Sequence, residues 1–316
     1  MPIALMVQAT KPAQLAQIKA QYPAWQFKTV DQLTVADYDQ VQVMFGNHPI
    51  LKTLLARPTH QLKLVQVISA GVDYLPLKAL AQAHVLVANT SGIHADAIGE
   101  SVLGAMLTVV RGYHAAWINQ TGAKKWSLPV KTTTLTDKNL LVFGTGQIGQ
   151  SIALKAAAFG MHVTGVNTTG HPATGFEATV ALTAADQALK QANFIVNALP
   201  LTPMTHHLFN ATLFEKAEQQ PMFVNIGRGP AVNTADLVAA LDRHQLSMAA
   251  LDVTEPEPLE QTNPLWQRFD VMITPHISGQ IDHFRATVFG IFAANFAQYV
   301  QDGTLARNQV DLTRGY

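Results

Sequence analysis

The sequence predicts an α/β fold in which two doubly wound parallel sheets are each covered by helices on both faces. Two observations carry this prediction: short apolar runs recur along the chain, and stretches with helical spacing lie between most of them. Strands that alternate with helices in this way are typical of parallel sheets. At 316 residues the chain is about twice as long as an average domain, so we expect two domains.

Each apolar run has the length and composition of a buried strand. The predicted strands cover residues 3–7, 41–45, 64–68, 85–88, 140–143, 162–166, 194–198, 222–226, 248–253 and 271–274. The predicted helices include residues 12–20, 147–159, 184–191 and 235–244. Thr10, Thr183 and Thr234 lie just before three of these helices and are expected to cap them.

Two longer helical stretches indicate where the chain passes between the domains. Residues 95–117 are rich in small side chains and follow the polar turn NTSG, and residues 281–301 form a matching stretch near the end. We therefore expect a first domain of residues 1–93 plus 284–316 and a second domain of residues 94–283. Residues 124–138 have no periodic pattern and are expected to form a loop.

The composition excludes several classes of protein. Hydrophobic residues make up 48% and charged residues 13% of the chain, which indicates a folded protein. The 21 basic and 21 acidic residues balance, so neither a nucleic acid nor an anionic membrane is an expected partner. The sequence contains no cysteine, which excludes disulfides, iron–sulfur clusters and cysteine zinc sites, and we assign no residue to a metal. No secretory signal or membrane-spanning run is recognisable, and a soluble cytoplasmic protein is expected.

A glycine-rich turn between a predicted strand and a predicted helix indicates a dinucleotide site. The segment GTGQIG has glycines where a tight turn, the approach of a pyrophosphate and the packing of helix on strand each require one. The motif alone is common, and its strand–turn–helix context is what supports the interpretation. Cofactor contacts are expected from the whole turn: Gly144, Thr145, Gly146, Gln147, Ile148 and Gly149.

The residue that contacts the cofactor ribose is predicted at the end of the next strand. Asn167 stands there instead of an acid, so the charge that would repel a 2′-phosphate is missing. Residues 167–177 contain no arginine or lysine, and the available donors are Thr168, Thr169 and His171. We therefore expect NADP or NAD at Asn167 and Thr168, with a modest NADPH preference of about tenfold in kcat/KM, roughly 1.4 kcal/mol.

Three residues that can bind an anion or transfer a proton follow strands of the predicted second sheet. Arg228, Glu257 and His276 come after the strands at 222–226, 248–253 and 271–274. The ends of parallel strands share one edge of the sheet, so we expect a common cleft. Each residue singly is typical of a protein surface. Together they predict hydride-transfer chemistry, in which the arginine binds a substrate carboxylate, the histidine donates a proton and the glutamate orients and charges the imidazole.

These motifs resemble the D-specific 2-hydroxyacid dehydrogenase family. The resemblance rests on five segments in the family's order: GTGQIG, ALPLTPMTHHLFN (198–210), NIGRGPAVN (225–233), LDVTEPEPL (251–259) and TPHISG (274–279). It covers the second domain and, more loosely, SAGVD (69–73), ANTSGIHADAIGES (88–101) and the final RGY. The resemblance implies a Rossmann-type cofactor domain inserted in a flavodoxin-like substrate domain.

The resemblance also implies roles for individual residues. Arg228 pairs with the substrate carboxylate and polarises the keto oxygen, His276 protonates that oxygen, and Glu257 hydrogen-bonds His276. The backbone amides of Ala70 and Gly71 bind the substrate carboxylate as well. Further cofactor contacts are implied outside the glycine turn, at Leu199, Pro200, Thr205, Ile226, Gly227, Asp252 and Gly279.

The expected activity is the reversible NAD(P)-dependent reduction of a small 2-keto acid to the D-2-hydroxy acid. Glyoxylate, hydroxypyruvate and aliphatic 2-keto acids all remain open as substrates. The absence of arginine and lysine from residues 45–50, and of a regulatory C-terminal domain, argues against a phosphorylated substrate such as 3-phosphoglycerate. Asn233, Gly99 and Ser278 depart from the family pattern without removing a catalytic group.

Other classes of protein use the same scaffold. Formate and phosphite dehydrogenases are alternatives among enzymes. A nucleotide-sensing, corepressor-like binding protein without significant turnover is the alternative outside them. A homodimer is expected from the family resemblance of residues 95–117.

Overall fold

The structure is a computed structural model and describes residues 1–126 and 132–314. The strands are β1 (Ile3–Met6), β2 (Gln26–Lys28), β3 (Val41–Phe45), β4 (Leu64–Gln66), β5 (Leu86–Ala88), β6 (Asn139–Phe143), β7 (His162–Asn167), β8 (Ala178–Ala181), β9 (Phe194–Asn197), β10 (Met222–Asn225), β11 (Met248–Leu251) and β12 (Val271–Ile273). The α-helices are α1 (Pro12–Gln21), α2 (Ile50–Leu55), α3 (Leu77–Gln82), α4 (Ala95–Val110), α5 (Tyr113–Ile118), α6 (Gln147–Ala158), α7 (Asp186–Gln191), α8 (Ala211–Phe214), α9 (Thr234–Asp242) and α10 (Phe284–Asp302).

The chain divides into two compact units. The first unit consists of Met1–Ile93 and Ile281–Tyr316, and the second unit of His94–Gln280. The chain therefore returns to the first unit in the turn ahead of α10, at Ile281, whereas the sequence predicts the return at residue 284.

The first unit contains a five-stranded parallel sheet in the order β2-β1-β3-β4-β5. This is the flavodoxin-like strand order. Aromatic side chains of α10 belong to one of its cores: Phe292 stacks on Phe45 with ring centroids 4.3 Å apart, and Phe296 packs edge-on against Trp25. Each such aromatic pair contributes about 0.5–1.5 kcal/mol beyond the burial of its surface.

The second unit contains a seven-stranded parallel sheet in the order β12-β11-β10-β9-β6-β7-β8. Counted from β6, this is the Rossmann order 3-2-1-4-5-6 with one further strand. Because the order reverses between β6 and β9, the loops after these strands diverge and leave a crevice at the carboxyl edge. The predicted fold class is thus confirmed in both units.

Helix α4 packs against α6 in the second unit, and an ion pair joins them. Lys155 Nζ donates to Asp96 Oδ1 at 2.7 Å, and Ser151 Oγ donates to the same oxygen at 3.1 Å. The hydrogen bond from Lys155, followed by that from Ser151, holds the pKa of Asp96 below its ordinary value.

Two edge strands, β2 and β8, were not predicted from the sequence. Each is only three or four residues long and is largely unburied at the edge of its sheet, so neither forms the longer apolar run that marks a buried strand. The predicted continuous helix over residues 95–117 is also wrong. Gly112 adopts a left-handed φ of 71°, and the amides of Arg111 and Gly112 donate to the carbonyls of Leu107 and Val109, which ends α4 before α5 begins.

The three threonine caps are wrong as well. Thr234 is the first residue of α9, and the cap is Asn233, whose Oδ1 accepts a hydrogen bond from the Asp236 amide at 3.1 Å. The N-cap positions of α1 and α7 are Lys11 and Ala185, so neither Thr10 nor Thr183 is a cap.

The loop predicted over residues 124–138 includes residues 127–131, which lie outside the described residues. Residues 124–126 and 132–138 form neither helix nor strand. Among the helices formed by residues 1–126 and 132–314, none combines the length and the apolar character that crossing a membrane requires.

Candidate active site

The glycine turn lies at the carboxyl end of β6, beside the crevice between β6 and β9. Gly144 has a left-handed φ of 103°, and a Cβ there would lie 2.8 Å from the Ala198 carbonyl oxygen. A Cβ at Gly149 would overlap the carbonyl oxygen of Gly144, so α6 packs on the turn only because no side chain intervenes. A Cβ at Gly146, by contrast, would contact no atom within 4 Å. The turn is therefore tight against the protein on one side and open on the other.

The open side of the turn fits a dinucleotide. Gly146 is the N-cap of α6, and the first backbone amides of a helix point outward without partners in the helix. Thr145 is buried, Gln147 is exposed and Ile148 is partly buried. A pyrophosphate needs close approach to backbone amides, and the open space at Gly146 allows it.

Asn167 is buried at the end of β7 and holds the loop that follows. Its Oδ1 accepts hydrogen bonds from the amides of Gly170 at 2.7 Å and Thr169 at 3.2 Å. Its Nδ2 donates to the His171 carbonyl oxygen at 2.8 Å. Thr168 and His171 are exposed beside it. Asn167 therefore holds this loop in place, and the exposed groups next to it are the hydroxyls of Thr168 and Thr169 and the imidazole of His171.

Two buried asparagines hold the loops after β9 and β10. Asn197 Nδ2 donates to Asn225 Oδ1 at 2.9 Å. The same Asn225 oxygen accepts the Gly227 amide at 3.2 Å, and Asn197 Oδ1 accepts the Leu199 amide at 3.0 Å. Asn225 Nδ2 also donates to the Arg228 carbonyl oxygen at 3.1 Å. Neither asparagine was predicted from the sequence to have a role, although both end strands that neighbour each other in the sheet.

The other residues predicted to contact the cofactor on these loops are held by local hydrogen bonds. Thr205 Oγ1 donates to the Pro200 carbonyl oxygen at 2.7 Å and accepts from the Thr202 amide at 2.8 Å. The Ile226 amide donates to the Asn197 carbonyl oxygen at 3.1 Å. These loops follow strands of the same sheet as the glycine turn and share its carboxyl edge.

His276 and Glu257 form a hydrogen-bonded pair at the same edge. His276 Nδ1 lies 2.9 Å from Glu257 Oε2, and the two side chains are 55% and 40% exposed. Glu257 Oε1 accepts a hydrogen bond from the Thr254 amide at 3.1 Å, which fixes the carboxylate. With Nδ1 facing the carboxylate, Nε2 is the imidazole nitrogen left for a substrate.

Asp252 holds the turn that carries His276. Its buried carboxylate accepts four hydrogen bonds: Thr274 Oγ1 and the Ile277 amide bond Oδ1, and the amide and hydroxyl of Ser278 bond Oδ2. His276 itself has a left-handed φ of 54°, and its amide donates to the Asp252 carbonyl oxygen at 2.9 Å. The structure thus gives Asp252 a positioning role that the sequence did not predict. Its contact with the cofactor stays a prediction.

Arg228 follows β10, the neighbour of β11, and is partly buried. Its Nη1 donates to the Gly227 carbonyl oxygen at 2.8 Å. Because β11 lies between β10 and β12, the loops that carry Arg228, Glu257 and His276 follow three adjacent strands. The topology therefore brings the three predicted catalytic residues to one edge of one sheet.

Three further residues predicted to bind cofactor or substrate are Gly279, Ala70 and Gly71. The Gly279 carbonyl oxygen is 2.6 Å from His94 Nδ1. Ala70 and Gly71 belong to the first unit and follow β4, where Asn89 Nδ2 donates to the Ala70 carbonyl oxygen at 2.9 Å. Within residues 1–126 and 132–314, no acceptor takes a hydrogen bond from the backbone amide of Ala70 or Gly71. Both amides are therefore available for an anionic ligand.

Known proteins share this sequence pattern. The profile of the family described as D-isomer specific 2-hydroxyacid dehydrogenase, NAD binding domain, matches residues 103–278. The human glyoxylate reductase/hydroxypyruvate reductase is 32% identical over 250 residues, which cover 77% of this chain and 75% of that protein.

Solved structures are similar over nearly the whole chain. A structure named phosphoglycerate dehydrogenase, from Lactobacillus plantarum, is 72% identical, with 98% of this chain and 100% of that chain covered and a TM-score of 0.60. An NADPH-dependent glyoxylate/hydroxypyruvate reductase from Sinorhizobium meliloti, solved with NADP and sulfate, is 26% identical over 100% of both chains with a TM-score of 0.82. The profile match spans more than half of the chain, and with the human relative it shows that this protein belongs to the D-isomer specific 2-hydroxyacid dehydrogenase family.

Proposed function

We propose that the protein is an NAD(P)-dependent oxidoreductase that interconverts a small 2-keto acid and the D-2-hydroxy acid. The observation that carries the proposal is the 2.9 Å pair of His276 Nδ1 and Glu257 Oε2, at the sheet edge where Arg228 follows a neighbouring strand. Two relatives are named glyoxylate and hydroxypyruvate reductases, which favours these keto acids as substrates. The same names disfavour the corepressor-like alternative.

The catalytic residues divide the reaction between them. When bound, the nicotinamide supplies the hydride for the carbonyl carbon. Arg228 pairs through its planar guanidinium with the substrate carboxylate and polarises the keto oxygen. His276 donates the proton to that oxygen from Nε2, because Nδ1 is held by Glu257. Glu257 holds Nδ1 and so orients the imidazole for the transfer.

Substrate binding is completed by backbone groups in this proposal. The amides of Ala70 and Gly71 bind the substrate carboxylate, which is supported by their having no protein acceptor within the described ranges. Backbone amides donate directional hydrogen bonds, so they would orient the carboxylate that they bind.

We propose a modest preference for NADPH. Asn167 carries no charge that would repel a 2′-phosphate, and the exposed Thr168 and His171 are donors beside it. The Sinorhizobium meliloti relative is NADPH-dependent and was solved with NADP. Comparison of kcat/KM for NADPH and NADH tests this, and a wild-type enzyme at least about tenfold better with NADH contradicts it.

The structure also shows how this preference is best tested by substitution. Asn167→Asp is expected to reverse the preference toward NADH, but it also removes the hydrogen bond that Nδ2 donates to His171. Thr168→Asp places the acid one residue later on an exposed side chain and leaves the buried hydrogen bonds of Asn167 intact. Reversal by Thr168→Asp with an unchanged Tm is the expected result.

A phosphorylated hydroxy acid is the second candidate substrate. The structure that is 72% identical is named a phosphoglycerate dehydrogenase. Residues 45–50, however, contain neither the arginine nor the lysine that usually binds a phosphate. A panel of 2-keto acids assayed with NADH and NADPH separates the candidates. We expect hydroxypyruvate to exceed 3-phosphohydroxypyruvate in kcat/KM, and the opposite order would favour the second candidate.

We also propose that the protein is a cytoplasmic homodimer. Tyr113 and Trp117 are 62% and 68% exposed and lie four residues apart on one face of α5. Phe269, which is 75% exposed, lies next to α5 because His114 Nε2 bonds its carbonyl oxygen at 2.8 Å. An exposed apolar patch of this kind is typical of an interface. The cytoplasmic location is supported by the lack of cysteine.

A further inference from the structure

Three side chains that can bind a metal come together in the second unit, outside the catalytic pair. The ligand atoms of His206, His207 and Glu255 all lie within 4.8 Å of one another. His207 Nε2 is 3.2 Å from Glu255 Oε2, and the rings of the two histidines lie with centroids 4.0 Å apart and planes tilted by 30°. In residues 1–126 and 132–314, this is the one group of three or more such side chains.

The backbone of both histidines is fixed by hydrogen bonds. The His206 amide donates to the Thr202 carbonyl oxygen at 3.0 Å, and the His207 amide donates to the Pro230 carbonyl oxygen at 2.9 Å. Asn210 Nδ2 donates to the His207 carbonyl oxygen at 2.9 Å. His207 has a left-handed φ of 49°, and at this turn the two adjacent rings lie side by side. The histidine side of the cluster is thus held in place while its side chains stay accessible.

Glu255 is held from the other side by the packing of its loop. A Cβ at Gly229 would overlap the Thr254 carbonyl oxygen and would lie 2.9 Å from the Glu255 amide nitrogen. The loop therefore packs closely on the backbone after Arg228. His207 and Glu255 are 48 residues apart in the sequence. Two loops that are distant in sequence therefore place their ligand atoms close together.

The distances suit a small tetrahedral ion. Zinc binds imidazole nitrogen and carboxylate oxygen at about 2.0–2.2 Å, so two ligands in a tetrahedron lie roughly 3.3 Å apart. The His207–Glu255 separation of 3.2 Å already meets this requirement. His206 must approach by at most about 1.5 Å, which rotation of an exposed ring allows.

The ligand types select the class of ion. Imidazole nitrogen suits zinc and related transition metals, whereas calcium and magnesium require mostly oxygen ligands. Two imidazoles and one carboxylate leave a fourth position for water. We propose that His206, His207 and Glu255 form a binding site for one divalent transition-metal ion of the zinc type. No metal was expected from the sequence, because the ligands have none of the spacings that mark zinc motifs.

Occupancy of the site would join two functional loops. One loop carries Thr205, and the other carries Glu255 and Glu257, the partner of His276. A metal bound to both loops cross-links them in the folded state, so zinc raises the Tm by mass action.

Two other histidine–glutamate pairs provide matched controls. His162 Nδ1 lies 3.1 Å from Glu177, and His276 Nδ1 lies 2.9 Å from Glu257. Neither belongs to a group of three metal-ligating side chains within the described parts of the chain. The second imidazole at His206 is therefore what distinguishes the proposed site.

The test is a titration of the chelator-treated, full-length protein with zinc in competition with a metal indicator dye. We expect one zinc ion per chain with a Kd of about 10 μM or lower, and a higher Tm in its presence. Loss of a supporting residue around a metal costs 10- to 100-fold in affinity, so His206→Gln and Glu255→Gln, which each remove a direct ligand, should weaken binding at least about tenfold.

His162→Gln and His276→Gln should leave zinc affinity unchanged. The measured Tm of each metal-free variant checks its folding. The proposal is overturned if the wild type binds no zinc at 100 μM (a concentration about tenfold above the expected Kd). It is also overturned if His206→Gln binds as tightly as the wild type, or if either control loses affinity to the same extent.

Discussion

Asp252→Asn tests the hydrogen bonds that hold the turn of His276. In the wild type each carboxylate oxygen accepts one backbone amide, Ile277 on Oδ1 and Ser278 on Oδ2, and one hydroxyl. The hydroxyls of Thr274 and Ser278 can rotate and accept from an amide group, but a backbone N–H cannot. Whichever way the asparagine side chain lies, one backbone N–H loses its acceptor, either that of the buried Ser278 or that of the exposed Ile277. The expected cost is about 1–3 kcal/mol.

The assay is hydrogen exchange of the Ile277 and Ser278 amides, which reports on this turn alone. A tenfold change corresponds to 1.4 kcal/mol, so one of the two amides should exchange roughly 5- to 150-fold faster in Asp252→Asn. Ser278→Ala is the control, because it removes one hydroxyl and leaves both amides with their acceptors. Wild-type exchange at both amides in Asp252→Asn would refute this reasoning.

Three further predictions concern the cofactor turn, the dimer and acid stability. Gly146→Ala should weaken NADPH binding at least about tenfold in a fluorescence titration with an unchanged Tm, because its Cβ meets no protein atom within 4 Å. Wild-type NADPH affinity in this variant would contradict the proposed binding of the pyrophosphate at Gly146. Gly104→Ala is the control, because a Cβ at Gly104 also meets no atom within 4 Å. Trp117→Glu should convert a dimer of twice 34.2 kDa to a monomer in light scattering, and a wild-type monomer at micromolar concentration would exclude the interface. The hydrogen bond from Arg57 lowers the pKa of Asp39 from 3.8 to about 2, so its stabilising effect is present above about pH 4 and is lost as the pH falls to about 2. The unfolding curves of wild type and Asp39→Asn should therefore differ at pH 5 and converge near pH 2, and a constant difference would contradict the pairing.

The buried strands and the catalytic edge were predictable because their signals are local. Strands β6 and β10 are apolar except for one terminal asparagine each, and glycine and arginine residues mark the turns that follow them. Since strand ends in a parallel sheet share an edge, the position of Arg228 near Glu257 and His276 in the topology follows from their order in the chain.

What the sequence missed depends on contacts between distant residues or on backbone conformation. The bonds of Asp252 to Ser278, and the approach of His207 to Glu255, join residues that no periodic pattern relates. The break at Gly112 needed knowledge of its left-handed φ. At α9 the sequence predicted Thr234 as the cap, but the cap is Asn233, one residue earlier, because its side chain is the one that reaches the Asp236 amide.

The role of His276 as proton donor is tested most directly by the turnover of His276→Gln with hydroxypyruvate and NADPH. Loss of a general acid lowers kcat by roughly 10²- to 10⁴-fold. The NADPH Kd of the variant should stay unchanged, because the ring bonds Glu257 and the cofactor turn lies after a different strand. We expect that loss of kcat with intact cofactor binding. A variant that keeps more than about a tenth of the wild-type kcat would contradict the assignment of His276 as the proton donor.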